Sequence, residues 1–291
     1  MKKKMRPWIY SFPALVLIGI IVVFPILYTG YISFTNMNLY HWFDFDIIGM
    51  ENYKRAVLKL NSGFLKALLT TILWTAVNMV IQVTAAFFIA LGLNAKGLKG
   101  RRFYKTVLMF PWAMPAYVSI LLWRVGMYNT EFGLLNQIGR ALGFGKISFL
   151  SENVPAFLSC LALNLWMAMP FMIMMIDGAL QSIDRSYYEC AELDGAGFFK
   201  KCRYITVPSL KPIIAPAVVM TTFTTFKQFD IIYLLTMQKG ALSGATLQTV
   251  ITYCYQNAFI SNNYGLSSAV SILIFIIIIA FSFYTNRSLK E

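Results

Sequence analysis

The chain has 291 residues, of which 58% are hydrophobic and only 13% charged, and its mean hydropathy is +0.63. A soluble domain carries about a quarter charged residues, so the charge deficit excludes an ordinary soluble fold more firmly than the apolar excess does. The net charge of +13 does not describe a nucleic-acid surface, because the basic residues flank apolar stretches instead of forming a face with interleaved aromatics.

Five stretches carry no charge at all: 9–34, 67–95, 106–123, 153–176 and 212–226. About 20 apolar residues cross the hydrocarbon core as a helix, since a helix satisfies its own backbone groups in lipid. Six spans are therefore expected, at 9–34, 64–93, 104–127, 155–181, 209–235 and 264–286. The first follows a basic start like that of a signal peptide. It is too long for one, and no small-residue cleavage site precedes Phe24-Pro25, so it reads as a retained span. The expected fold is an all-α polytopic membrane bundle, with tails at 1–8 and 287–291 and a transmembrane domain at 9–286.

An even number of spans puts both termini on one side, and the positive-inside rule selects the side. With the N-terminus inside, 16 of the 25 basic residues fall on inner segments, including Lys2, Lys3, Lys4, Arg6, Lys96, Lys99, Arg101, Arg102, Lys105, Lys200, Lys201, Arg203 and Lys211. Six fall outside (Lys54, Arg55, Lys59, Arg140, Lys146 and Lys239), and Lys66, Arg124 and Lys227 lie within spans. The topology is N-in and C-in. Outer connections of roughly 25–30 residues are too short to bury a core of their own. Aromatic residues sit at their edges (Tyr28, Tyr31, Trp42, Phe43, Trp112, Trp123), as interfacial belts require. No internal repeat joins the two halves, which counts against folds built on inverted repeats.

Along the spans, Arg124 near the outer end of span three is expected to snorkel to the headgroups. Span four places Asn164, Met167, Ala168 and Phe171 at i, i+3, i+4 and i+7, an amide and an aromatic on one face. Asp177 follows near the inner end, where water or a partner is expected to reach it. Span five sets Thr221, Thr224, Thr225 and Gln228 on one face in the same way. Such a polar face points into the bundle, either to line a wet cavity or to hydrogen-bond a neighbouring helix. Lys227 and Asp230, three apart, read as a structural pair or one facing a partner subunit.

Cys160, Cys190, Cys202 and Cys254 show no CxxC or metal-ligand spacing, and His41 is the sole histidine, so neither disulfides nor a metal cluster is expected. No catalytic constellation appears. Gly145-Lys146 is followed by Ile147 and lacks the upstream glycine of a phosphate-binding loop.

The segment at about 184–208, between spans four and five, is the most informative. Asp184 opens a short helix, Gly195 and Gly197 break it, and a second amphipathic turn carries Phe198 and Phe199 with Lys200, Lys201 and Arg203. Pro208 and Pro212 then start span five. Exposed aromatics beside small residues on the basic side suit a docking surface; an interfacial helix on anionic lipid has the same composition.

Glu189-Cys190-Ala191, Asp194-Gly195-Ala196, Ile205 and Val207-Pro208 resemble the EAA motif of binding-protein-dependent ABC importer permeases. Cys190 stands where that motif usually has alanine, and Cys202 where an aromatic is common. Phe34-Thr35-Asn36-Met37-Asn38, Ile48 to Tyr53, Phe110-Pro111-Trp112 and Gly178 to Ile183 extend the resemblance over nearly the whole chain. It is to the sugar-uptake branch, in particular the maltose-type upstream permease subunit. That branch often has a Gly-Pro turn after span five, whereas here Leu235-Thr236 continues as Met-Gln-Lys-Gly-Ala.

The resemblance implies a type I importer permease fold in the inner membrane of a bacterium. It also implies that Glu189, Ala191, Asp194, Gly195, Ala196, Ile205 and Pro208 seat the loop on an ATPase subunit. By the same resemblance, the faces of spans four and five are expected to align with the sugar-contacting positions of the maltose-type subunit. Implied partners are a second homologous permease, two ATP-binding subunits and an extracytoplasmic solute-binding protein. ATP and magnesium belong to the ATPase, with no cofactor on this chain. Alternatives are an importer of glycerol phosphate or another small polar solute, for which Lys227 would suit an anion, and an ion-coupled secondary transporter built on Lys227 and Asp230. The scarcity of clustered His, Asp and Glu argues against a membrane-embedded enzyme.

Overall fold

The computed structural model describes residues 2–58, 63–95, 97–237 and 247–288, the side chains of 2–9, 286 and 288 excepted. Lys59, Lys96, Lys239 and Lys290, counted in the orientation, lie outside the described residues, as does the stretch 238–241 after span five. Among the described residues the elements are helical, apart from an isolated bridge between Thr35 and Ile47.

Helices α1 (Lys2–Ile18) and α2 (Phe24–Ile32) join through a π-turn into the first span, followed by α3 (Glu51–Val57) and α4 (Gly63–Leu93). Then come α5 (Arg101–Ala113), α6 (Ala116–Leu122), α7 (Leu134–Ala141) and α8 (Asn153–Gln181). The inner loop contributes α9 (Arg185–Leu193) and α10 (Phe198–Lys201), the latter running through a π-turn into α11 (Val207–Phe226). The second turn of the loop is thus continuous with span five, which begins ten residues earlier than Pro208 because no residue between them breaks the helix. Last are α12 (Asp230–Ile232), α13 (Val250–Tyr255) and α14 (Tyr264–Ser288).

Span three differs most from expectation. It is broken at Met114 and bent by 92° between α5 and the helix Ala116–Met127. Pro115 is the cause: it forces Met114 into an extended conformation (φ −78°, ψ 140°), and the Pro115 carbonyl accepts from Ser119 N to start the next helix. The bent pair still counts as one crossing. Asn164 Nδ2 donates to Asn78 Oδ1 at 2.6 Å, Gln82 Nε2 to the Ala168 carbonyl at 2.9 Å, and Asn94 Nδ2 to Asp177 Oδ1 at 2.8 Å. The numbers rise together on both helices, so α4 and α8 run parallel, and the chain between them must cross the membrane once. Six spans result.

The chain divides into two compact units. In Met1–Leu69 with Val250–Phe283, the first outer loop is pinned from below. Buried Asn52 donates to the carbonyls of Ser33 (3.0 Å) and Thr35 (2.8 Å), and Ser33 Oγ meets Tyr53 OH at 2.7 Å. Gly265 N donates to the Met37 carbonyl, and a Cβ on Gly265 would lie 2.2 Å from the Thr35 oxygen. Only glycine allows that approach.

In Thr70–Thr249 with Tyr284–Glu291, two apolar clusters fill the bundle. Trp74, Ile120, Leu163, Ile232 and Leu235 form one; Ala86, Ala90, Met172, Ile176 and Leu210 form the other. In lipid such packing gains little from excluding water, so each interhelical polar contact, worth about 0.6 to 2 kcal/mol, carries weight.

Candidate functional site

The inner loop is locally rigid. Asp184, extended at ψ 132°, caps α9 by accepting Ser186 N on Oδ1 at 2.9 Å, and that hydrogen bond holds its carboxyl below the usual carboxylate range. At the other end Ala196 N donates to the Ala191 carbonyl at 2.8 Å and Gly195 N to the Glu192 carbonyl at 3.1 Å. With Gly195 at φ +71°, this is a Schellman turn. A Cβ there would meet nothing within 4 Å, so glycine is required by backbone conformation and not by space. Lys201 Nζ then pairs with Glu192 Oε1 at 2.9 Å, and Tyr188 OH meets Thr206 Oγ1 at 3.0 Å, tying α9 to the following helix.

Local bonding leaves the apolar tips outside. Leu193 is 89% exposed and Phe199 86%, with Tyr187, Phe198 and Tyr204 also exposed. Glu189, Asp194 and Pro208 are also exposed, while Ala191, Ala196 and Ile205 are half-buried. Exposed rings and leucine on a stiff frame, next to Lys200 and Arg203, form a surface shaped for contact.

The two polar faces are less uniform than their periodicity. On α8, Asn164 is buried and bonded to Asn78, Met167 and Ala168 are half-buried, and Phe171 is exposed. On α11, Thr221 and Thr225 are buried and Thr224 is exposed; Thr221 donates to the Ala217 carbonyl and Thr224 to that of Thr221. Half-buried Gln228 does not continue this helix, because α11 ends at Phe226 and an irregular stretch, Lys227 to Phe229, intervenes before Asp230. That break also removes the helical i, i+3 geometry expected of Lys227 and Asp230; among the described residues no ion pair joins them.

Two charges sit differently from expectation. Arg124 is half-buried, and its Nη1 donates to the Leu234 carbonyl at 3.2 Å in the π-turn after α12, so its guanidinium is engaged within the protein. Asp177 is only 3% exposed and pairs with Arg101 (2.9 Å) and with Lys105. It is not open to water, because Asn94 at the end of α4, Arg101 and Lys105 on α5, and Gln181 on α8 itself all donate to it. Basic residues at the start of α5 opposite a lone acid inside a span were the available signal; the Asn78–Asn164 pair had none beyond polarity.

Parallel α4 and α8, a proline-bent crossing and a stiff basic-side loop define a multi-pass membrane transport subunit. Residues 82–288 match the family described as "Binding-protein-dependent transport system inner membrane component". The chain belongs to that family and is a multi-pass inner-membrane permease component. It is 32% identical over 295 residues to the galactooligosaccharides transport system permease protein of Bacillus subtilis (strain 168), covering 98% of this chain and 70% of that one. It is likewise 32% identical over 270 residues to the trehalose/maltose transport system permease protein of Thermococcus litoralis, covering 93% and 88%. Among solved structures, a bacterial ABC transporter involved in import of the acidic polysaccharide alginate superposes with a TM-score of 0.82 at 19% identity, covering 99% of this chain and 96% of that one. That likeness establishes the type I importer permease fold.

Proposed function

We propose that the chain is one transmembrane half of an ATP-driven importer for a sugar delivered by an extracytoplasmic binding protein. The observation that carries this reading is the loop at 184–208, already folded yet exposing Leu193 and Phe199. In the proposal Glu189, Ala191, Asp194, Gly195, Ala196, Ile205 and Pro208 frame the seat for a separate ATPase subunit. A second homologous permease closes the pathway, and two ATPase subunits drive it. The relatives' carbohydrate substrates support a sugar.

ATP and magnesium are assigned to the partner. Gly145-Lys146 does not fit a phosphate: the stretch leads into no helix before Asn153, and Lys146 is held at 2.7 Å by Glu131. In operation, ATP draws the two ATPases together, each pulls a loop, and the permease pair alternates between inward-open and outward-open states. Phe171, Thr224 and Gln228 present ring and polar groups at the surface the partner permease would cover. Asn164, Met167, Ala168, Thr221 and Thr225 support those faces from behind or beside them.

Gly195→Val tests the reading. A β-branched residue at φ +71° disfavours the turn by about 1–2 kcal/mol, while the membrane body has no contact to lose. ATP-driven uptake of labelled maltose- and galactose-type oligosaccharides should fall about tenfold with the protein still in the membrane. Wild-type uptake rates in the variant would sink the proposal.

A further inference from the structure

Asp177 lies seven residues before the cap of α9, on the helix that leads into the docking loop. Both carboxylate oxygens are occupied. Oδ1 accepts from Arg101 Nη2 at 2.9 Å and Asn94 Nδ2 at 2.8 Å; Oδ2 accepts from Gln181 Nε2 at 2.9 Å and from Lys105 Nζ. Arg101 Nη2 also donates to Asn94 Oδ1. One carboxylate therefore gathers the inner end of α4, the first two turns of α5 and the last turn of α8.

Buried ionic groups of this kind are poor sources of stability, since well-packed apolar residues do as well. What they add is direction. Apolar helix faces slide past one another in shear motions, whereas a saturated carboxylate fixes register until its bonds are broken. Beyond this cluster α5 runs along α8, then turns by 92° into α6, whose Ile120 is packed in the cluster with Trp74 and Leu235. Helix α8 thus carries both the short connection into α9 and, through Asp177, the start of span three.

We propose that Asp177 is a positioning residue for energy coupling. It clamps the start of α5 to α8, so that the docking loop and span three move as one body. The inference rests on the ATP-driven reading above and goes beyond it in naming the clamp. Asp177 acts through the loop and touches no substrate.

The test uses complexes assembled in vesicles from this chain, its partner permease, the ATPase subunits and the solute-binding protein. Co-purification of the ATPase with the wild-type chain checks the underlying reading; its absence overturns that reading and not the clamp alone. Spin labels replace exposed Phe103 on α5 and exposed Arg185 at the start of α9, outside the apolar docking surface. In the wild type their separation should be the same without nucleotide and with ATP and vanadate. In Asp177→Asn it should change between the two states, and stimulation of ATP hydrolysis by the solute-binding protein should fall at least about fivefold. Asp177→Glu, which keeps the charge, should restore part of the stimulation. If Asp177→Asn does not assemble, Lys105→Met, which leaves the other three donors in place, is expected to loosen the same separation. Unchanged separation and stimulation in whichever of Asp177→Asn and Lys105→Met assembles overturns the proposal.

Discussion

The first outer loop and the inner loop are both well folded, yet they are held by different means. Outside, Asn52, Ser33 and Thr35 are buried, and the Asn52 amide closes on the carbonyls of Ser33 and Thr35. Inside, the frame consists of a cap, a Schellman turn and a partly exposed ion pair, and the apolar side chains point away from it. The first loop is completed by its own groups and by Gly265 at the start of α14; the second is finished as backbone and unfinished as surface. Rigidity alone is therefore no sign of function, whereas rigidity combined with uncovered rings is.

Substitutions can break this comparison. Gly265→Ala should have the largest effect on the outer side. Its methyl would have to displace the Thr35 carbonyl, and overpacking of this kind costs about 1–3 kcal/mol. Detergent-purified protein should melt several degrees lower, and an unshifted melt would show the outer loop to be loose. Asn52→Ala should follow closely, because two buried carbonyls lose their donor, at about 1–3 kcal/mol.

On the inner side the signs should separate. Phe199→Ala should leave the melt unchanged but weaken ATPase binding about tenfold, as loss of an interface anchor does. Equal loss of stability and binding would mean that the ring belongs to the fold.

The smallest effect is acidic. The Asp184 carboxyl is held below its ordinary value by Ser186 N–H. Its contribution to α9 is complete above the unfolded carboxylate range and is lost as the pH falls through the lower folded value. The Ser186 amide resonance, followed in selectively serine-labelled protein, should shift only below the ordinary aspartate range. A transition near neutral pH would remove Asp184 from the cap.

Much of this architecture was legible because its signals are local. Charge-free length marks spans, basic flanks mark the inside, and an Asp followed by Gly195 marks a capped and broken helix. The bend in span three was also written locally, in Pro115, but proline within a span is tolerated often enough not to announce a 92° turn. Two features stayed hidden for different reasons. The break after Phe226 has neither glycine nor proline, so the Thr and Gln spacing continued through it unmarked. The Asp177 cluster joins residues more than 70 positions apart, a relation that no periodicity records. Asn164 shows the same limit: its helical face was plain, but its partner Asn78 was not.

The positive φ of Gly195 also bears on how quickly a partner is recognised. A loop that had to bend on contact would lose conformational entropy at the moment of binding, and its association would slow with every ordering step. Here the bend is settled when the chain folds, so an approaching subunit meets a finished relief. Differences among docking-loop variants should therefore appear chiefly as changed residence times and not as changed encounter rates.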